Sequence, residues 1–109
     1  MMNTYKLELN DKLASLYGLD SYIMTDYDIY GNDFEVLLID DSARMFDLMI
    51  ENKLSITFYP FGVLVYETTD EFGNLVDEIN ADFKDHENPQ AAVRFAIALY
   101  LVTLAESKS

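Results

Sequence analysis

"LSITFYPFGVLVYET", Leu54 to Thr68, is the stretch on which the fold turns. Two runs rich in β-branched and aromatic residues, Leu54 to Tyr59 and Val63 to Thr68, flank Pro60-Phe61-Gly62, a compact turn signal. The pattern predicts a β-hairpin. Further along, "DEFGN" at 70 to 74 is a second turn that returns the chain into "LVDEINADF". The expectation is therefore a meander of about three antiparallel strands.

Upstream of the hairpin, "DDSARMFDLMIENK" sets acids and Ser42 ahead of Met45, Phe46, Met49 and Ile50, a spacing that gives a helix one apolar face. "FEVLLI" at 34 to 39 is a short apolar run. Leu19 to Asp33, rich in Tyr, Asp and Gly without helical period, reads as an irregular or loosely stranded connection. Tyr5 to Leu9 is either a short strand or the start of a helix, and Asn10 has the position of an N-cap for "DKLASLYG", which Gly18 would end.

Downstream lies "NPQAAVRFAIALYLVTLAE", residues 88 to 106, in which Asn88 is a strong N-cap and Pro89 suits the first helical position. Arg94 and Thr103 interrupt a helix that is otherwise apolar nearly all round. Such a helix must be enclosed on several sides. Alanines at 91, 92, 96, 98 and 105 permit close approach by a neighbour. Two arrangements satisfy this: part of the helix lies in a homodimer or partner interface, or it is a core helix covered by the helix at 42 to 52. Arg94 is expected at an acidic neighbour or a water-exposed edge, and "AESKS" as a frayed tail. The fold class is α+β, a small antiparallel sheet packed against helices with a long apolar C-terminal helix, in a single acidic domain over 1–109.

Half of the 109 residues are apolar and 15 are Phe or Tyr, so a core can form without disulfides or metal. The absence of cysteine removes thiolate chemistry and fits a reducing cytoplasm. "MMNTYKLELNDK" lacks the basic-then-apolar order of a signal peptide. The apolar run after Pro89 is shorter than the roughly 20 residues a bilayer span needs. One arginine is also too few for an interfacial helix, so no membrane role is expected.

Twenty acids against seven basic residues give a formal charge of −13. That balance opposes direct binding to DNA, RNA or anionic lipid and suits a basic protein surface. The closest approach to a metal motif is "DYDIYGNDFEVL", where Asp26, Asp28 and Gly31 occupy positions 1, 3 and 6 of a calcium loop. Tyr30 at position 5 and Leu37 at position 12 break it, leaving Asp26, Asp28, Asp33 and Glu35 as a weak cation binder at most. No metal site and no cofactor are expected. His86, between Asp85 and Glu87, has neither a cysteine nor a nucleophile elbow to serve and reads as a surface loop residue. Four glycines form no phosphate cradle, and pairs such as Asp40-Asp41 and Asp77-Glu78 arise by chance among so many acids. The expectation is that the protein is not an enzyme.

The distribution of charge says more than any motif. Seven acids and no basic residue lie between Asp20 and Asp41; eight acids and only Lys84 lie between Glu67 and Glu87. Either this is a solubilising surface, or carboxylates stand in for phosphates in the basic groove of a nucleic-acid-binding protein. For the second case the candidate partner-binding residues are Asp20, Asp26, Asp28, Asp33, Glu35, Glu71, Asp77 and Glu78, with Tyr22, Tyr27 and Tyr30 as aromatic anchors. Alternate strand residues stand about 6.7 Å apart on one face, against a duplex charge every 1.7 Å or so. A mimic therefore needs the 20–41 and 67–87 segments as adjacent rows.

"MFDLMIENKLSITFYPFGVLVYET" followed by "NPQAAVRFAIALYLV" resembles the C-terminal half of the NinX-type family of small tailed-phage proteins. The likeness is an order of parts: Ile50-Glu51 leading to a strand at Leu54 to Tyr59, a turn, a strand at Val63 to Tyr66, then a helix with Pro89, Ala91-Ala92 and Arg94. It implies a phage or prophage origin and action in the bacterial cytoplasm, and no catalytic residue. The resulting expectation is a non-enzymatic phage-type protein that inhibits a host nuclease or CRISPR effector by DNA mimicry. The alternatives are an immunity protein for a bacterial toxin, anchored by aromatics as well as charge, and a weak calcium binder.

Overall fold

The computed structural model describes residues 2–25, 34–68 and 75–108. Helix α1 (Met2–Tyr17) leads to β1 (Tyr22–Thr25) and β2 (Phe34–Leu37), then through a 3₁₀ turn at Leu38–Asp40 to α2 (Ser42–Glu51). Strands β3 (Ser55–Tyr59), β4 (Gly62–Thr68) and β5 (Leu75–Asp82) follow, then a 3₁₀ turn at Phe83–Asp85 and α3 (Pro89–Lys108). The chain is α+β. Strands β3-β4-β5 form the expected antiparallel meander, and β1 and β2 pair as a separate two-stranded ribbon.

In the hairpin Tyr59 pairs with Gly62, so Pro60 and Phe61 alone make the link. Gly62 is required by close approach: a Cβ there would sit 2.7 Å from the Ala81 carbonyl oxygen of β5. Alternation along β4 turns Val63 and Val65 into the core, with Ala81 and Ile79 beside them on β5. The second predicted turn, 70 to 74, lies outside the described residues.

The N-terminal reading needs correction. Met2 to Tyr17 is one helix, so Asn10 is not an N-cap but a fully buried residue of its interior. Its amide Nδ2 donates to the Ser21 carbonyl at 3.0 Å, and its Oδ1 accepts from the Ile39 N–H at 2.8 Å. Both groups belong to segments that leave the helical ladder, and the side chain supplies what their backbones lack. Gly18 does end α1: it sits at φ +64°, and the Leu19 N–H returns to the Ala14 carbonyl at 2.8 Å.

Helix α2 starts as expected, capped by Asp41, one of the acids ahead of it, whose carboxylate accepts from the Arg44 N–H. Its buried side chains are Met45 and Leu48, with Met49 partly buried, whereas Phe46 and Ile50 are more than half exposed. The predicted face was too wide because α2 rests along a narrow seam on α3 and the 38–40 turn. It ends with Lys53 at φ 56°, a left-handed position in which glycine would be more usual.

Asn88 caps α3 through Oδ1, which accepts from the Ala91 N–H at 2.7 Å. The helix lies over β4 and β5 and against α1, with α2 at its side. Three rows spaced i, i+4 are buried: Ala92, Ala96 and Tyr100; Ile97 and Leu101; Ala98 and Val102. Leu9, Leu13 and Ala14 of α1 complete this core, so it is chiefly α1, and not the helix at 42 to 52 alone, that encloses α3. Burial within one chain therefore accounts for the apolar rows without a second copy. The predicted frayed tail is helical to Lys108, and Glu106 meets Lys12 of α1 at 3.4 Å. No helix among the described residues is long and apolar enough to cross a membrane.

Candidate interaction surface

Among the sequence-selected residues, Asp20 follows the α1 stop, Tyr22 opens β1 and Glu35 lies in β2; all three are exposed. Pairing of Tyr22 with Leu37 and of Met24 with Glu35 places Tyr22 and Glu35 on the same face of the ribbon. Glu78 is exposed on β5, paired with Tyr66, and Asp77 pairs with Glu67 of β4. Asp26, Asp28, Asp33, Glu71, Tyr27 and Tyr30 lie outside the described residues, as do positions 26–33 of the calcium-loop segment, whose end is β2. No group of three potential metal ligands occurs among the described residues. The two acidic segments stand on different sheets, so the described strands do not form the continuous double row that mimicry of a duplex would favour.

What the strands do share is a charge of one sign. Glu35, Glu67, Asp77, Glu78 and Asp82 lie on them, and not one Lys or Arg does. Glu67 and Asp77 stand directly opposite each other across β4 and β5, a like-charge register that ordinarily destabilises a sheet. The Tyr100 hydroxyl donates to Glu67 over 3.4 Å and is a modest compensation. The ion pairs among the described residues lie elsewhere: Lys6 with Asp40 at 2.7 Å and Lys12 with Glu106 at 3.4 Å.

Charge of both signs converges instead on a cleft of about 380 Å³. It is lined by Lys6 of α1, Asp40, Lys84, Asp85, His86 and, from α3, Phe95. His86 is half-buried, not the surface residue the sequence suggested, because its ring rests 4.8 Å from that of Phe95, which Tyr5 also meets edge-on. Burial pushes the imidazole pKa below the ordinary value of 6.5; Asp85 opposes this, and Lys6 adds to it. The lining offers the imidazole no Ser, Thr or Cys to activate, so the cleft holds no arrangement of the triad type.

The Arg94 guanidinium donates to the Ser42 Oγ at 2.8 Å in an exposed bond, so of the two sites expected for it, an acidic neighbour or a water-exposed edge, it takes the exposed one. This ties α3 to the first turn of α2. Its buried Nε has no hydrogen-bond partner among the described residues.

Sequence reasoning missed the hairpin tip. Phe58, Tyr59 and Phe61 are 63%, 41% and 68% exposed, and the Tyr59 and Phe61 rings stack at 6.0 Å and 14°. A turn is normally polar, so Tyr-Pro-Phe at this place was a signal available in the sequence. No protein-family model, curated protein or solved structure matches the chain.

Proposed function

We propose that the protein is a non-enzymatic inhibitor that presents carboxylates to the basic groove of a nucleic-acid-binding protein, as a phage protein directed at a host nuclease or CRISPR effector would. The observation that carries this is the absence of any cation from strands that hold five carboxylates. A solubilising surface intersperses both signs, and opposite charges across strands are the ordinary means of stabilising a sheet. The described strands do neither. The groove of a nucleic-acid-binding protein is lined with cations that meet a polyanion, which makes it the fitting partner for strands whose charges are all negative.

A tagged pull-down from bacterial lysate, washed at low and then high salt, tests the proposal. A nuclease, CRISPR effector or other DNA-handling protein should be retained at low salt and released at high salt, and neutralising Asp26, Asp28, Glu71, Asp77 and Glu78 should abolish retention. Retention unchanged in the neutralised protein sinks the idea. The exposed aromatics of the hairpin favour a second reading, an immunity protein for a toxin. In that case retention survives high salt and depends on Phe58, Tyr59 and Phe61.

A further inference from the structure

Across the three strands Tyr59, Gly62 and Asp82 stand in one register row. Gly62 has no side chain, so nothing from β4 rises between its neighbours. The Asp82 Oδ1 lies 3.4 Å from where a Cβ of Gly62 would be, so this carboxylate leans from β5 toward the hairpin link. Across Gly62 in the same row is Tyr59, whose exposed ring stacks on that of Phe61. The Phe83 N–H holds the link in place by donating to the Phe61 carbonyl at 2.9 Å. Asp82 has no ion pair among the described residues.

An aromatic face beside an unpaired carboxylate is the environment of a guanidinium, which stacks through its plane and donates from its edge. We infer that the β3–β4 link is the docking point for an arginine-bearing segment of the basic partner, with the guanidinium on the Tyr59–Phe61 rings and bonded to Asp82. This rests on the proposed function only in taking the partner to be basic. Charge complementarity selects the occupant: a second copy would bring another −13, and of its two arginines Arg94 is already engaged with Ser42. Lysine is a poorer match because its ammonium pairs with a carboxylate but has no planar face to stack.

The test titrates the intact ¹⁵N-labelled protein with a capped hexapeptide of alternating arginine and glycine, and with its lysine counterpart. The arginine peptide should bind about threefold or more tightly than the lysine peptide, moving the amide signals of Phe61, Gly62 and Phe83. Phe61→Ala and Asp82→Asn should each weaken it by a similar factor, while Phe61→Tyr restores binding. Phe61 is exposed enough that these variants leave the core alone. Equal affinity for both peptides, or for Phe61→Ala and the parent, overturns the docking point while leaving a basic partner possible. No binding of either peptide overturns it as well, and if the pull-down also retains no basic protein, the proposed function falls with it. Self-association at low salt that Phe61→Ala abolishes would put a second copy in the site and overturn the arginine assignment.

Discussion

Replacing Asn10 by alanine should cost more stability than any exposed substitution in α1. The side chain is fully buried, and its two bonds fix its orientation, since Ser21 offers only a carbonyl and Ile39 only an N–H. In Asn10→Ala the Ile39 N–H, in a residue 1% exposed, loses its acceptor, at about 1–3 kcal/mol. The Ser21 carbonyl keeps its bond from the Leu38 N–H at 2.9 Å, so its loss is smaller. Alanine returns roughly 0.5 kcal/mol through its better helix propensity. The net expectation is a loss of about 1–3 kcal/mol, or about 5–15 °C in Tm for a chain of this length. Urea unfolding followed by circular dichroism measures it, with the m-value unchanged.

Asn10→Asp sharpens the test. A carboxylate can still accept from Ile39 but turns a lone pair toward the Ser21 carbonyl, so the protonated acid is the form that fits. The folded-state pKa of residue 10 should then rise above the unfolded value of about 3.9. Stability contributed by a raised carboxyl is full below the unfolded pKa and is lost as pH climbs through the folded one. The aspartate variant should therefore approach the parent protein at acid pH and fall behind it at neutral pH. A deficit independent of pH, or an alanine variant within 0.5 kcal/mol of the parent, would show that the clamp does not hold α1 to the 38–40 turn.

Two further outcomes follow from geometry already described. Gly62→Ala should lower the urea midpoint by the equivalent of about 1–3 kcal/mol, because the new Cβ meets backbone at 2.7 Å; an unchanged midpoint would mean that β4 and β5 separate freely. For His86, the lowered folded pKa means that the unfolded chain binds the proton more readily, so stability is full above pH 6.5 and declines as pH falls below it. His86→Gln should remove that part of the decline, seen as a difference between parent and variant melting temperatures that shrinks or reverses on acidification, and a constant difference would contradict it.

What could be read from sequence was local. The Tyr59–Gly62 link, the Asn88 cap and the Gly18 stop each depend on residues within four positions of one another, and each was found where the residue types placed it. Asn10 misled because an asparagine before "DKLASL" looks the same whether it caps that helix or bonds to distant backbone. Its partners are 11 and 29 residues away. The width of the α2 face had the same origin: spacing gives a period, but the neighbours decide how much of it is buried. In the candidate surface, exposure of Asp20, Glu35 and Glu78 followed from their polarity. Asp82 joined the Tyr59–Phe61 pair only through the register of three strands and a residue without a side chain.

The arrangement of the seven cations, more than their number, separates a binding surface from a solubilising one. Lys6 and Lys12 secure α1 to the 38–40 turn and to the end of α3, Arg94 secures α3 to α2, and Lys84 stands in the cleft beside His86. These four of the seven stand where helices or turns meet, while Arg44 is exposed on α2 and Lys53 just past its end. Exposed pairs of this kind contribute little individually, yet the strands, where an opposite charge facing Glu67 or Glu78 would add about as much, have none. Adding one lysine to β3 or β5 would both relieve repulsion and protect an open sheet edge. That β3 is uncharged and β5 solely acidic would serve solubility as well, for which acids do more than lysines; the like-charge register of Glu67 and Asp77 is the feature that solubility leaves unexplained. It is what a surface requires if a cation from another protein is to supply the missing charge.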